Sequence, residues 1–459
     1  MKTFQDVERL GGTALIDFLW GAVREHQQSE RYRTAKAAES YYAKKNETIM
    51  KFQKVLFNLQ GIAVPDVWSA NYKLRTTFFR RFVLQQVQFV LANGVTFENE
   101  QTKKKLGSHF DTQLQTMAKK AMVDGVCFGF WNYDHLEVFP FCDTENDPGF
   151  APLYDEETGE LRAGIRYWNT GAAERMTFYE VDGYTDFIKK KDKEAEVLNE
   201  KRSYKQTVRR SKMDGESVVG SENYSRLPII PMYANDLKES ELEGIRENID
   251  CYDFIKSGLA NEIDDTAGVY WLLKNSGGMD DVDLAKFIER MHVVRAATID
   301  SDEGQAAEAH TLDVPVEARE AMLNRLEEDL YNDFQIINVA KISGGNKTAT
   351  EITAAYQPMN DKCGDFEYCM IEFIQSLLGL MGIEDNPSFR YNKITNQTEE
   401  TNMVLAAAQY LGDELVLKKL PFLTPEEVEN RLKEMSAEEL SRFDGGTEWM
   451  KGTEEQTDS

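Results

Sequence analysis

Cysteine and histidine are scarce in this sequence of 459 residues, and their scarcity argues against several kinds of site. The five cysteines include no CxxC pair, so we expect neither a disulfide framework nor a zinc site. The five histidines show no HExxH or HxH spacing, and no serine stands in a GxSxG motif. The sequence therefore predicts no catalytic residue, no metal ion and no cofactor.

Long apolar runs are also absent. No window approaches the roughly 18 consecutive apolar residues of a membrane span, and the N-terminus lacks the apolar core of a signal peptide. We therefore expect a protein made and kept in a cytosol, with no membrane partner. Basic side chains are also in the minority, since 79 acidic and 53 basic side chains give a net charge of -26. Such a surface repels nucleic acid, so any DNA contact must be local or weak.

The first half of the chain changes from helical to strand-like periodicity. Helices are predicted from Thr13 to Leu59 with a polar turn at residues 44–46, from Asn71 to Leu91, and from His109 to Asp124. Residues 126–187 read as short antiparallel strands separated by turns, and the basic stretch 189–226 as a solvated loop or ribbon. The prolines of LPIIPMY (227–233) place that strand at a sheet edge or terminus.

The second half is dominated by long amphipathic helices with acidic outer faces. One follows LPIIPMY and is expected to end before Ser276-Gly277-Gly278, and another runs over 316–339. Between them, residues 279–315 read as a small α/β insert. The Gly pair in KISGGNKTAT indicates a flexible loop, and a third helix over 350–381 should be interrupted and kinked at Pro358 and Gly364. Length and pattern together predict an α+β protein of two to four domains at about 150 residues each.

Two motifs suggest chemistry but have simpler explanations. GGNKT (344–348) lacks the glycine directly before the lysine, and the one five residues ahead of it, that a phosphate-binding loop needs. Asp280, Asp281 and Asp283 could bind a divalent cation, but carboxylates that cap the first turn of a helix explain them better. A metal-dependent nuclease built on these aspartates is the enzymatic alternative, and it predicts magnesium-dependent DNA cleavage.

In their order, the motifs resemble the portal proteins of tailed double-stranded DNA phages over most of the chain. The stretches that carry the resemblance are SYYAKKNETI (40–49), NYKLRTTFFRRFVLQQVQFVLANGVTF (71–97), the strands DGVCFGFWNY, PLYDEETGELRAGIRYW and TFYEVDGYTDFI, and LPIIPMYANDLKESELEGIRENIDCYDFIKSGLANEID (227–264). The sequence departs from the family at Ala92-Asn93-Gly94, where Leu-Gly is usual, and at Val95-Thr96, where proline is often found.

The resemblance implies a portal-like fold with an α/β wing, long stem helices, a small α/β clip insert, a kinked long helix and an α-helical crown. The expected boundaries are wing 1–236, stem helix 237–275, clip 276–315, second stem helix 316–339, tunnel loop 340–350, kinked wing/crown helix 351–384, crown 385–442 and disordered acidic tail 443–459.

The resemblance also assigns expected roles to residues. Candidate DNA-channel residues are those of the tunnel loop: Lys341, Ser343, Gly344, Gly345, Asn346, Lys347 and Thr348. Candidate contacts with the packaging motor or the adaptor are those of the clip: Asp280, Asp281, Asp283, Lys286, Arg290, Arg295 and Asp300. Candidate stem-packing residues are Leu242, Ile245, Ile249, Tyr252, Leu326, Leu330 and Phe334.

The implied partners are those of a capsid vertex. They comprise a homo-oligomeric ring of twelve subunits, double-stranded DNA passing through its channel, the terminase large subunit, the head-tail adaptor, and the major capsid and scaffolding proteins. The expected location is the virion, after assembly in the cytoplasm of the host bacterium. A non-channel acidic scaffolding protein, with its long helices in an ordinary bundle, is the non-enzymatic alternative.

Overall fold

The chain divides by its internal contacts into two compact units, residues 1–337 with 358–392, and residues 338–357 with 393–459. The computed structural model describes residues 3–8, 10–57, 62–66, 69–145, 147–191, 193–211, 215–265, 270–274, 306–310, 315–343, 349–392, 397–420, 423, 427–428 and 430–435. Within these ranges, no helix is both long and apolar enough to cross a membrane.

Helices and strands are mixed along the chain, as the sequence predicts. The described helices are α1 (Phe4–Glu8), α2 (Gly12–Gln28), α3 (Glu30–Tyr42), α4 (Phe78–Leu91), α5 (Glu100–Leu106), α6 (Phe110–Asp124), α7 (Arg246–Asp265), α8 (Val316–Asp333), α9 (Val339–Ser343), α10 (Ala349–Met381), α11 (Gln397–Ala407) and α12 (Asp413–Lys419), with a 3-10 helix at Thr48–Lys51.

The described strands lie mostly between α6 and α7. They are β1 (Val55–Phe57), β2 (Ala63–Pro65), β3 (Val95–Phe97), β4 (Val126–Asn132), β5 (His135–Pro140), β6 (Gly149–Tyr154), β7 (Leu161–Asn169), β8 (Ala173–Glu180), β9 (Gly183–Lys190), β10 (Ala195–Arg202), β11 (Lys205–Ser211), β12 (Gly215–Glu222), β13 (Ile229–Tyr233), β14 (Tyr270–Lys274), β15 (Ala306–His310) and β16 (Pro387–Phe389).

An antiparallel meander of five strands, in the order β10-β9-β8-β7-β6, packs against α2. Alternate residues of its strands point into that core, as the period of two requires: Ala151, Leu153, Ala163, Ile165, Met176 and Phe178. The prediction of antiparallel strands is confirmed. The basic stretch 189–226 forms strands as well, since β11 and β12 pair as a ribbon.

A second sheet, in the order β13-β4-β5, is buried on both faces. On one face Val126, Phe128 and Phe130 join an aromatic core with α3. On the other face Gly129 leaves room for the Phe373 ring of α10, because a Cβ there would lie 2.7 Å from that ring. The predicted edge position of LPIIPMY is confirmed, since β13 is an outer strand.

The turn from α6 into β4 needs a glycine. Gly125 has φ +85°, and a Cβ at this position would lie 2.8 Å from the backbone of Glu239. The Gly125 carbonyl accepts a hydrogen bond from Ala234 N at 3.1 Å. The end of α6 is therefore in direct contact with the chain that leads to α7.

Several predicted helices end earlier or begin later in the structure. The sequence predicts a helix that continues beyond the turn at residues 44–46 to Leu59. That prediction is wrong, because the chain forms a short 3-10 helix there and then the strand β1. The helix expected from Asn71 begins at Phe78, and the one expected to continue to Asn275 ends at Asp265 and is followed by β14. The helix expected to reach Val339 ends at Asp333. Pairing with β2 and β15 holds β1 and β14 as strands, and acceptors on α7 hold residues 72–76 extended. Helix α8 ends just before Gln335, which has φ +56°.

The third long helix and the C-terminal region agree with the sequence only in part. Helix α10 is continuous at Pro358 and Gly364, so the predicted interruption is wrong, while the bend stays a prediction. The division between the two units falls at Pro358. The segment expected to form the crown contains the strand β16 and the helices α11 and α12. The predicted acidic tail lies outside the described residues.

Burial of His26 makes stability depend on pH. Its ring contacts Tyr32, Phe141 and Tyr167, and Nε2 lies 3.1 Å from the Phe141 carbonyl, to which it donates when neutral. Burial lowers the pKa of His26 from 6.5 to about 4. The unfolded chain therefore binds a proton first as pH falls, and stability should drop by up to about 3 kcal/mol between pH 6.5 and 4. Urea titrations across this range should show the slope, which His26→Phe should reduce and exposed His109→Gln should retain.

Candidate functional site

Helices α7 and α8 form an antiparallel pair joined at both ends by polar contacts. Near the C-terminus of α7, Glu262 Oε1 lies 2.6 Å from Arg319 Nη2 at the start of α8. At the opposite end, Asn248 Nδ2 donates to Asp333 Oδ2 at 2.7 Å. Such partly exposed contacts add little stability, but together they define the register of the two helices. The pair is therefore aligned along its whole length.

Most candidate stem-packing residues are buried within the chain, with Leu242 and Ile245 placed before α7 and Phe334 directly after α8. Each candidate stem-packing residue except Tyr252 is at most a few per cent exposed: Leu242, Ile245, Ile249, Leu326, Leu330 and Phe334. Tyr252 is partly buried, and its ring meets that of Phe78 on α4 edge-on at 5.0 Å. Phe334 packs against Phe82 of α4 at 5.0 Å. These side chains thus attach the helix pair to its own subunit, and other residues remain for any contact with a neighbour.

Three polar side chains on α7 bind the extended segment that precedes α4. Asp253, Ser257 and Asn261 are four residues apart, and their oxygens accept from the backbone N–H groups of Thr76, Leu74 and Tyr72 at 2.9, 2.9 and 2.5 Å. The spacing matches because four residues of helix rise about 6 Å and two residues of strand about 6.6 Å. We call this arrangement the α7 polar ladder.

The members of the α7 polar ladder are buried. Burial raises the pKa of Asp253, although hydrogen bonds from Thr76 and Asn46 act in the opposite direction. A buried polar group costs free energy unless it is bonded, so the ladder specifies one position of the segment along α7. The sequence analysis missed these residues. A visible signal was the recurrence of polar residues every four positions on a helix with an apolar stripe.

The chain leaves α7 and returns to α8 as a paired ribbon. Strands β14 and β15 are antiparallel, with Tyr270 opposite His310 and Lys274 opposite Ala306. The expected insert is thus attached to the helix pair through two adjacent strands. Strand β15 lies within the segment expected to form the α/β insert. The seven candidate clip residues, from Asp280 to Asp300, lie outside the described residues.

The candidate tunnel-loop residues fall partly in a helix. Lys341 and Ser343 belong to the short helix α9, so the loop expected from residue 340 begins later. The candidates Gly344, Gly345, Asn346, Lys347 and Thr348 lie outside the described residues. Helix α10 begins at Ala349. A loop conformation at Lys341 and Ser343 is therefore wrong, and the roles of all seven candidates stay predictions.

Titratable groups elsewhere do not assemble a metal centre in the described part of the chain, where no group of three or more potential ligands occurs. Burial raises the pKa values of the Cys127, Cys142 and Cys363 thiols, which keeps them protonated and poorly nucleophilic. Burial also raises the pKa of Asp124, with Glu39 acting in the same direction and Lys120 in the opposite one. These groups belong to the core of the fold.

The chain matches known portal proteins over most of its length. The family model described as "Phage portal protein, SPP1 Gp6-like" matches residues 23–441. The portal protein of Clostridium phage phiCD119 is 21% identical over 429 residues, covering 86% of this chain and 90% of that protein. The portal protein of Bacillus phage SPP1 is 22% identical over 334 residues, covering 69% of this chain and 63% of that protein.

Solved structures give a more distant likeness. One chain of the virion of a native gene transfer agent particle has a TM-score of 0.43 and 10% identity, covering 75% of this chain and 90% of its own length. The family match decides the class, because it spans far more than half of the chain. This chain belongs to the SPP1 Gp6-like family of phage portal proteins. It is thus a structural subunit of a bacteriophage particle, as the resemblance in its motifs predicted.

Proposed function

We propose that copies of this chain form a closed ring, with twelve subunits as the expected number, at one vertex of a phage capsid. Double-stranded DNA would enter and leave the capsid through the central channel of this ring. Membership of the portal family is the observation that carries the proposal. The aligned α7–α8 pair, followed in the chain by the β14–β15 ribbon, supports it, because two helices in fixed register can present a defined surface to a neighbouring copy.

The proposed roles along the chain keep the boundaries expected from the sequence. Residues 1–236 would form the wing, 237–275 and 316–339 the two stem segments, 276–315 the clip, 340–350 the tunnel loop, 351–384 the kinked helix and 385–442 the crown. The clip would contact the terminase large subunit during packaging and the head-tail adaptor afterwards. Contacts with the major capsid and scaffolding proteins would hold the ring at its vertex in the virion.

The net charge suits passage of DNA better than tight binding. Each chain carries a formal charge of -26, so an acidic channel wall would repel phosphates and leave the duplex free to slide. Exposed acidic residues on the helix pair, among them Glu247 of α7 and Glu328 of α8, are available for such a wall. Which of them face the channel is part of the proposal.

Electron microscopy of the purified full-length chain tests the ring directly. Particles with an open axial hole are expected, and native mass spectrometry should give their copy number. A compact monomer at all concentrations would exclude the ring and favour the scaffolding alternative. Incubation of plasmid DNA with magnesium and the purified chain should leave the DNA intact, whereas cleavage would favour the nuclease alternative.

Reversing the charge of the tunnel loop should impair DNA retention. Lys341 and Lys347 are the lysines of this segment, and each would make transient contacts with phosphates. Phage assembled with Lys341→Glu/Lys347→Glu should package shorter DNA or lose DNA more readily than wild-type phage, because both phosphate contacts become repulsive. Packaged length can be measured by pulsed-field electrophoresis, with exposed Lys418→Glu/Lys419→Glu as the control. Unchanged length and retention would remove this role.

A further inference from the structure

An exposed apolar surface lies beside α7, in a part of the molecule where the fold leaves large side chains in solvent. Phe254 of α7 is 49% exposed and its ring contacts that of Phe52, which is 53% exposed, at 4.8 Å. Tyr72 and Leu74, held against α7 by the polar ladder, are also exposed. Met50 and Val55 extend the surface on either side of Phe52. We call these six side chains the α7 apolar surface.

Basic side chains surround the α7 apolar surface. Lys44, Lys51, Lys73 and Arg75 form no ion pair within the described part of the chain. Lys73 donates to the Met50 carbonyl at 3.0 Å and Arg75 to the Lys44 carbonyl at 3.2 Å, so the partners of both are neutral carbonyl groups. Two exposed carboxylates, Glu47 and Asp264, share this region. The partly buried Asp250, one turn before Phe254 on α7, adds a third carboxylate. Four cations against three anions still give the region a basic excess on a chain whose net charge is -26.

The exposed face of α8 is the complement of this surface. Ala318, Ala321 and Met322 recur at helical spacing on its outer side, and Met322 is 44% exposed. Glu317 and Glu320 flank this strip, are exposed, and form no ion pair among the described residues. The chain thus carries an apolar surface with a basic rim and an apolar strip with an acidic flank, on different helices of the same unit.

We propose that the α7 apolar surface of one copy binds the exposed face of α8 on the next copy. The two surfaces differ, so the contact is heterologous and repeats from subunit to subunit until a ring closes. Apolar burial would supply the affinity, and the lysines facing Glu317 and Glu320 would select the partner and its register. This inference rests on the proposed ring and names the surfaces that build it.

A charge swap tests the pairing of these two surfaces. Lys44→Glu/Lys51→Glu and Glu317→Lys/Glu320→Lys each place like charges across the contact, so each should raise the concentration needed for half-maximal assembly by at least about tenfold. The combination of all four substitutions in one chain should restore assembly, because every contact then pairs opposite charges again. Lys104→Glu/Lys105→Glu, on exposed positions of α5, makes the same charge change elsewhere and should assemble like the wild type.

Analytical ultracentrifugation at matched ionic strength gives the measurement, and circular dichroism shows that each variant is folded. Restoration by the combined variant supports the proposal and also shows that neither pair of substitutions prevents folding. Suppose that the wild type forms rings. If both double variants then assemble as well as the wild type, or if the combined variant fails to restore assembly, these two surfaces do not pair, although the proposed ring is still supported. If the wild type stays monomeric at every concentration, the proposed function fails first.

Discussion

Phe82→Ala should lower the free energy of unfolding by about 3–5 kcal/mol, because it removes a fully buried ring at the junction of three helices. The Phe82 ring lies 5.8 Å from that of Phe78 on its own helix. It lies 5.0 Å from both Tyr331 of α8 and Phe334 directly after it. The cavity cannot simply close, since α4 also packs against α6 and would lose that contact by moving towards α8.

Urea denaturation followed by tryptophan fluorescence measures this effect, at a fixed protein concentration so that assembly does not alter the comparison. Tyr368→Ala on α10 deletes an aromatic ring that is 71% exposed and should cost less than about 0.5 kcal/mol. A loss of less than about 1 kcal/mol for Phe82→Ala would mean that the junction does not hold α8 in place. The attachment of the α7–α8 pair to the rest of its unit would then need another explanation.

Ser257→Ala/Asn261→Ala should destabilise the chain by about 2–5 kcal/mol, because it leaves two backbone N–H groups without their acceptors. Ser257 Oγ accepts from Leu74 N, while Asn261 both accepts from Tyr72 N and donates to the Tyr72 carbonyl at 3.3 Å. The segment before α4 would lose most of the α7 polar ladder. Tyr72 and Leu74 would then be free to leave the α7 apolar surface.

Hydrogen exchange distinguishes this local effect from general destabilisation. Amides of residues 72–76 should exchange at least about tenfold faster in the double variant, while those of the five-stranded sheet change far less. Ser257→Thr retains a hydroxyl and should keep most of the protection, and Glu247→Ala on the exposed side of α7 should change nothing. Equal acceleration in all segments would contradict a local role for the ladder.

The sequence predicts well those elements whose partners are near in the chain. In the sheet from β6 to β10, each strand pairs with the next, so alternating residues and turn signals carry the whole arrangement. The end of α6 follows from Asp124-Gly125, and the edge position of β13 from its prolines. The buried Ile249 of α7 and the buried Leu326 and Leu330 of α8 also lie on faces that helical periodicity predicts, because these faces enter the core.

Predictions failed where the deciding partner is distant. Residues 72–76 carry a helical apolar pattern that includes Leu74, yet they are extended because α7 supplies hydrogen-bond acceptors from about 180 positions along the chain. Residues 270–274 continue the apolar run of α7, yet they form a strand because residues 306–310 pair with them. A local pattern contains no information about such partners.

The same division applies to the function. The sequence by itself determined the family, the absence of recognisable catalytic motifs and the acidity that suits DNA passage, because each depends on motif order or composition. Only the tertiary structure decided which faces of α7 and α8 are already occupied within one chain and which remain exposed. Burial depends on which surfaces pack together, so it cannot be read from one segment of sequence. Most candidate stem-packing residues are buried within one chain, and the proposed subunit contact therefore uses Phe254, Phe52 and the outer face of α8.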